Sequence, residues 1–280
     1  MDRKIEINRQ PIGDGQPVYF IAEVGINHNG DARIAEKLIR AAARSGVNAV
    51  KFQTYITEKR IKQDSPIFAI LKKCELSFKV QANLKAFAEA EGVTFFSTPF
   101  DTDSVDFLTG IDVPAFKIAS FELVNLMLVR KIASAGKPVI ASRGMACRSE
   151  IDAAVDIFTE NHVPYALLHC VSAYPTALED VNLNVIRNLG QLYPCPIGYS
   201  DHTLGIHAPV IAVAVGARII EKHFTLDRNM EGPDHSLSVD PGQMSDMIRN
   251  CREVNIMCGE GRIDPSKAEA QFFWLRRPSD

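Results

Sequence analysis

The chain has 280 residues, 46% of them hydrophobic and 23% charged, the profile of a globular protein with a large buried core. Its formal net charge of −3 gives no electrostatic case for nucleic acid or an anionic membrane as partner. No apolar stretch approaches the roughly 20 residues that span a bilayer, and the polar opening MDRKIEINRQPIGDGQ has no signal-peptide character, so a cytoplasmic location is expected.

Residues 1–16 predict a small hairpin turning at Gly13-Asp14-Gly15. One rhythm then repeats: an apolar, often β-branched run, a polar loop, a helical pattern. The runs are VYFIAEV (18–24), NAVKFQT (48–54), VTFFSTP (93–99), PAFKIAS (114–120), PVIASRG (138–144), YALLHCV (165–171), PIGYSDH (196–202) and ARIIEKHF (217–224), eight in all. Between the first two, DARIAEKLIRAAARSG has apolar residues at helical spacing and stops at Gly46. VQANLKAFAEAEG ends likewise at Gly92, SEIDAAVDIFTENH opens on a candidate N-cap at Ser149, and GIHAPVIAVAVGA links the last two runs. The stretch 55–80, with Pro66 and several charges, predicts a loop with short helices near one end of the sheet. QMSDMIRNCREVNIMCG predicts a final helix, and EGRIDPSKAEAQFFWLRRPSD a polar tail.

Strands alternating with helices imply a parallel sheet with crossover connections. Eight units, and no GxGxxG after the first strand, favour a closed barrel over an open dinucleotide-binding sheet. The expected fold is therefore an α/β (β/α)8 TIM barrel over residues 17–260, its base plugged by the N-terminal hairpin, with a tail over 261–280. The six cysteines are scattered without a CxxC pair, which argues for reduced, packed thiols over a structural zinc site or disulfides.

In such barrels chemistry sits where strands end. Those ends carry Glu23, Lys51 with Gln53, Thr98, Lys117 with Ser120, Ser142 with Arg143, Ser172 with Tyr174, Ser200 with His202, and Glu221 with His223. Pairing of lysines with glutamates explains one or two such ends, but not polar residues at all eight, since burying lone charges is costly. Lys51, Lys117 and Arg143 with Thr98, Ser120, Ser142 and Ser200 form an inventory for a phosphate or carboxylate. His202 and His223 each close an apolar run, and histidines so placed either share a metal ion or serve as hydrogen-bonded structural residues. Glu23, Glu221 and Asp234 supply acid, base or hydroxyl-binding groups.

The segments IAEVGINHNGD (21–31), AVKFQTY (49–55), FFSTPFD (95–101), FKIAS (116–120), GKPVIASRGMA (136–146), CVSAYPT (170–176), IGYSDHTLGI (197–206) and EKHFTLDRNMEGPDHSLSVDP (221–241) resemble, in order, the sialic acid synthases of NeuB type. The resemblance implies a (β/α)8 barrel that condenses phosphoenolpyruvate with the open-chain aldehyde of an N-acylated hexosamine, typically N-acetylmannosamine. The products would be a nine-carbon 2-keto-3-deoxy acid and phosphate, formed by C–O cleavage. It implies His202 and His223 as ligands of a divalent metal, manganese or magnesium. Lys51, Thr98, Lys117, Ser120, Ser142 and Ser200 match the phosphoenolpyruvate site, and Ser172 stands there where many relatives have asparagine. Gln53, Tyr174 and Asp234 match positions near the sugar, and Glu23 and Glu221 those that handle protons beside the catalytic lysines Lys51 and Lys117. His28 falls either on the sugar-side wall or in shaping its loop.

Three departures qualify the resemblance, of which Ser172 in place of asparagine is one. Relatives usually carry a C-terminal antifreeze-like domain that lends an arginine to the partner subunit's site, whereas this chain stops at Pro278-Ser279-Asp280, about where the linker would begin. Relatives commonly have Ser-Thr-Gly-Met where this chain has Ser142-Arg143-Gly144-Met145, so Arg143 is expected either to contact the acceptor sugar or to pair with a carboxylate at the mouth. The partners expected are small molecules, with a homo-oligomer open. The alternatives are another phosphoenolpyruvate- or pyruvate-using barrel with a different acceptor, and a non-catalytic sugar-binding barrel.

Overall fold

A computed structural model describes residues 3–259, 261 and 263–277. Pro278, Ser279 and Asp280, where the expected linker would run, lie outside the described residues. The chain opens with an antiparallel hairpin, β1 (Lys4–Ile7) and β2 (Gln10–Gly13). Its turn is Asn8-Arg9, both at positive φ, and not the Gly13-Asp14-Gly15 expected from sequence. A two-residue loop with both residues left-handed matches the twist of paired strands, and the glycine-rich triplet begins at the last residue of the second strand and leads out of it. Ile5, Ile7 and Ile12 of the hairpin form one buried cluster with Tyr19, Ile21, Phe96 and Ile140 of the barrel interior.

Eight parallel strands then close into a barrel: β3 (Tyr19–Gly25), β4 (Ala49–Thr54), β5 (Thr94–Pro99), β6 (Phe116–Ile118), β7 (Val139–Ser142), β8 (Tyr165–His169), β9 (Ile197–Asp201) and β10 (Ile219–His223), with β10 pairing back onto β3. This is the (β/α)8 fold expected. β3 is as long as its apolar run and shifted by one residue, and each of the other seven strands is shorter than its run. β6 is the extreme case, because Ser120 already opens a 3-10 turn over Ser120–Glu122.

The helices are α1 (Ala32–Ser45), α2 (Thr57–Arg60), α3 (Phe68–Cys74), α4 (Phe78–Ala90), α5 (Thr102–Gly110), α6 (Leu126–Ala133), α7 (Arg148–Glu160), α8 (Asn184–Leu192), α9 (His207–Ala214) and α10 (Pro241–Cys258). Their starts are chemically marked. Asp31, Ser77, Asp101, Asn125 and Asp240 each accept a hydrogen bond from a first-turn backbone N–H, satisfying a donor that the helix itself leaves open. The helices pack on the outward strand residues Phe20, Val50, Phe95, Phe116, Val139 and Leu167 in the main core. The tail is less polar than expected: a 3-10 helix over Lys267–Leu275 leaves Phe272, Phe273, Trp274 and Leu275 exposed.

Two glycines serve the strand ends. Gly25 has φ +54 at a register shift between β3 and β4, where a Cβ would meet Glu23 Oε1 at 3.2 Å. A Cβ on Gly144 would come within 2.6 Å of Ser172 Oγ and 2.7 Å of Cys170 Sγ, so the turn after β7 closes onto the strand-end hydroxyls only as glycine.

Candidate active site

Side chains two apart on a strand share a face, and this period builds the site. The last interior apolar layer is Ile21, Ala49, Phe96, Ala115, Ile140, Leu168 and Ile219. Two residues further along the same faces stand Glu23, Lys51, Thr98, Lys117, Ser142, Cys170 and Glu221, all buried. Ser200 completes the ring from β9. A dry hydrocarbon floor thus gives way in one step to a polar layer, and above it opens a cavity of about 500 Å³.

The centre of the layer is an alternating charge cluster. Lys51 Nζ lies 3.2 Å from Glu23 and 3.3 Å from Glu221, and Lys117 Nζ lies 3.7 Å from Glu221. Ser200 Oγ donates to Glu221 Oε1 at 2.8 Å, Lys117 donates to Ser142 Oγ at 2.7 Å, and Lys51 reaches Thr98 Oγ1 at 3.5 Å. Burial alone raises a carboxylic acid's pKa and lowers that of an ammonium. At Glu221 the two lysines overcome burial and hold the carboxyl down at about 2. At Glu23 burial, with the Glu221 charge behind it, outweighs Lys51 and lifts the carboxyl to about 7. Burial lowers Lys117 to about 8, whereas at Lys51 the two glutamates overcome burial and raise the ammonium. The surroundings therefore favour the ionised form at Glu221 and the protonated form at Glu23.

The histidines stand one step further along the faces that carry Ser200 and Glu221, rings 5.6 Å apart. His202 Nδ1 is 2.7 Å from the Val171 carbonyl, which can only accept, so the proton sits on Nδ1 and the Nε2 lone pair is free. His223 Nδ1 is buried without a hydrogen-bond partner, 3.7 Å from Asp234 Oδ2. Burial keeps both rings neutral, His202 at about 4 with His223 beside it and His223 at about 3 with Lys51 beside it. Two neutral imidazoles, one with an orphaned nitrogen, fit a divalent transition-metal ion. Among the described residues no group of three or more His, Cys, Asp or Glu side chains is arranged to hold one, so such an ion would draw its remaining ligands from water or substrate.

All the residues singled out in the sequence line the cavity except Ser172, Arg143 and His28. Ser172 sits behind Ser120, the two hydroxyls 2.7 Å apart, and Cys170 takes the strand-end position on the cavity wall. Arg143 follows inward-facing Ser142 and so faces the other way, beside His169. It makes no ion pair with a mouth carboxylate among the described residues. Tyr174 covers His202, ring centroids 4.2 Å apart. His28 is buried away from the cavity. Its Nδ1 accepts from the Gly30 N–H at 3.1 Å and it bonds the Gly25 backbone, which makes it a loop-shaping residue.

Sequence reasoning missed one wall. Arg60, Ile67, Ile70, Phe100 and Phe121 line the cavity from α2, α3 and the turns after β5 and β6. No sequence signal separates Arg60 from Lys59. The fold does so: Lys59 pairs outward with Asp103 at 2.5 Å, while Arg60 turns inward to donate to Gln53 Oε1 at 3.0 Å.

Comparison with known proteins places this architecture. The chain is 49% identical to an uncharacterized protein of Methanocaldococcus jannaschii, over 99% of this chain and 82% of that one. It is 38% identical to the N,N'-diacetyllegionaminic acid synthase of Legionella pneumophila, over 96% of this chain and 81% of that one. The crystal structure of N-acetylneuraminic acid (sialic acid) synthetase from Leptospira borgpetersenii superposes with a TM-score of 0.95 at 39% identity, covering 99% of this chain and 97% of that one. The NeuB family model matches residues 38–263, and the chain belongs to the NeuB family.

Proposed function

We propose that the chain condenses phosphoenolpyruvate with the open-chain aldehyde of an N-acylated hexosamine, giving a nine-carbon 2-keto-3-deoxy sugar acid and phosphate. One observation carries the reading: a buried Lys51–Glu221–Lys117 cluster ringed by hydroxyls lies next to two neutral histidines in the same cavity. The names of the relatives, a legionaminic and a sialic acid synthase, support the same product class.

Lys51 and Lys117 neutralise the carboxylate and phosphate of phosphoenolpyruvate, and Thr98, Ser120, Ser142 and Ser200 donate to their oxygens. C3 of phosphoenolpyruvate forms a bond to the aldehyde carbon, and water adds at C2. The C2–O bond to phosphate then breaks, leaving the water oxygen as the ketone. Of the two water protons, one ends on the new hydroxyl and the other on the released phosphate. Glu23 is the group that moves a proton here, because its carboxyl titrates near neutrality while Glu221 stays ionised. Gln53, Tyr174 and Asp234 orient the sugar. A divalent cation on His202 and His223 would supply a Lewis acid at the aldehyde oxygen.

The test is phosphate release from phosphoenolpyruvate with manganese and a panel of aldoses, with product mass as second readout. The expected result is release that needs both an acylated aminohexose and a divalent ion, and that is lost in His202→Ala together with calorimetric metal binding. Release with none of the aldoses would sink the reading.

A further inference from the structure

The proposed chemistry leaves one cavity cation unused. Arg60 lies over the Phe100 ring at 3.7 Å and over Tyr55 at 4.6 Å. Among the described residues its guanidinium has one hydrogen bond, to Gln53 Oε1, and no carboxylate within ion-pair distance. A guanidinium carries five N–H donors, so most of its donor edge is open to the cavity. Stacking holds the plane in a fixed orientation, which leaves that edge aimed rather than mobile. Next to it runs an apolar shelf of Ile67, Ile70 and Phe121, each more than 40% exposed at the mouth.

We propose that Arg60 and this shelf form the subsite for the acceptor's acylamino group, the guanidinium donating to the acyl carbonyl oxygen and the shelf covering the acyl methyl. This rests on the condensing reaction proposed above and names what selects its acceptor. Three features favour a neutral acyl group over a phosphate as the occupant. The field at Arg60 already includes the carboxyls of Glu122, Asp234 and Glu23, so a further anion gains little there. The shelf offers apolar carbon where a phosphate would need donors. The lysines that suit a phosphate lie deeper, within β4 and β6. Gln53 ties the subsite to the reacting centre, since it accepts from Arg60 and donates to Glu23 Oε1 at 3.3 Å.

The experiment compares wild type with Arg60→Met, which keeps an apolar stem on Phe100, and with Arg60→Lys. Acceptors are an N-acetylated 2-amino-2-deoxyhexose, the parent hexose with a hydroxyl at that carbon, and the acylated sugar carrying a 6-phosphate. Losing a charged donor to a buried carbonyl should cut kcat/KM for the acylated acceptor about tenfold or more in Arg60→Met. The hydroxyl analogue should be nearly unaffected, and so should KM for phosphoenolpyruvate. Arg60→Lys should recover part of the selectivity. Equal losses on both unphosphorylated acceptors, a raised KM for phosphoenolpyruvate, or a loss confined to the 6-phosphorylated sugar would overturn the assignment. If wild type turns over no acylated aminohexose, the condensing reaction fails first. Calorimetry of the acylated sugar against wild type and Arg60→Met then decides the subsite by itself, equal affinity overturning it.

Discussion

Glu23 and Glu221 are the same side chain in the same buried layer, yet their carboxyls are driven in opposite directions. The difference is the number of cations each faces. Glu221 lies between two lysines, whereas Glu23 has Lys51 alone and a negative neighbour. If Glu23 acts as the base that takes a proton from water, it must be ionised, so kcat rises as pH climbs through about 7. Glu23→Gln should lower kcat by about 10²–10⁴ and abolish that rise, whereas Glu221→Gln should keep it but move it to lower pH, because the Glu221 charge helps to lift Glu23. A pH–rate profile that keeps its neutral inflection in Glu23→Gln would assign the proton to another group. At Arg143 the same scale shows the limit of composition: the residue is cationic and next to Ser142, but strand alternation turns it out of the cavity.

Among the elements, β10 carries His223 and β9 leads directly into His202, and the two strands are joined behind the barrel wall by a fully buried ion pair. Lys222 donates to Asp201 Oδ2 and to the Thr203 carbonyl, both at 2.5 Å, and Asp201 also accepts from Tyr199 and Thr203. Lys222→Met leaves Asp201 as a buried charge without its counterion. The expected loss is about 3–5 kcal/mol in urea unfolding, with partial recovery when Asp201→Asn is added. A loss below about 1 kcal/mol would mean that water reaches the pair. Strands of this kind were legible in sequence, because an apolar run ending in a polar residue marks both the strand and its open end. The rest was legible only in part. Whether Cys170 or Ser172 takes the strand-end position depends on where β8 leaves the sheet, which a two-residue uncertainty in strand boundaries leaves open. The hairpin turn was misplaced because glycines advertise a turn, while Asn8-Arg9 makes one through left-handed backbone at non-glycine residues. Arg60 was invisible because its direction is set by the packing of α2 against Phe100, not by any periodic pattern.

For the molecule as a whole, buried neutral histidines set the acid limit. Burial lowers the His28 imidazole from its ordinary 6.5 to about 4 in the fold, so its contribution is complete above about 6.5 and drains as pH falls through the folded value. That linkage is on the order of 3 kcal/mol. Unfolding free energies of wild type measured from pH 7 to pH 4 should fall accordingly, with a shallower slope in His28→Gln; parallel slopes would remove His28 as a cause. The hairpin has a consequence of another kind. With Ile5, Ile7 and Ile12 packed onto the floor, the cavity opens away from the hairpin, at the strand ends. Lys51 and Lys117 stand at its far end, 5% and 1% exposed, and Tyr174 at the threshold, 48% exposed. Whatever occupies the lysines must enter first and is trapped once the threshold is filled. A dead-end acceptor analogue should therefore inhibit uncompetitively against phosphoenolpyruvate, a queue imposed by the shape of the vessel.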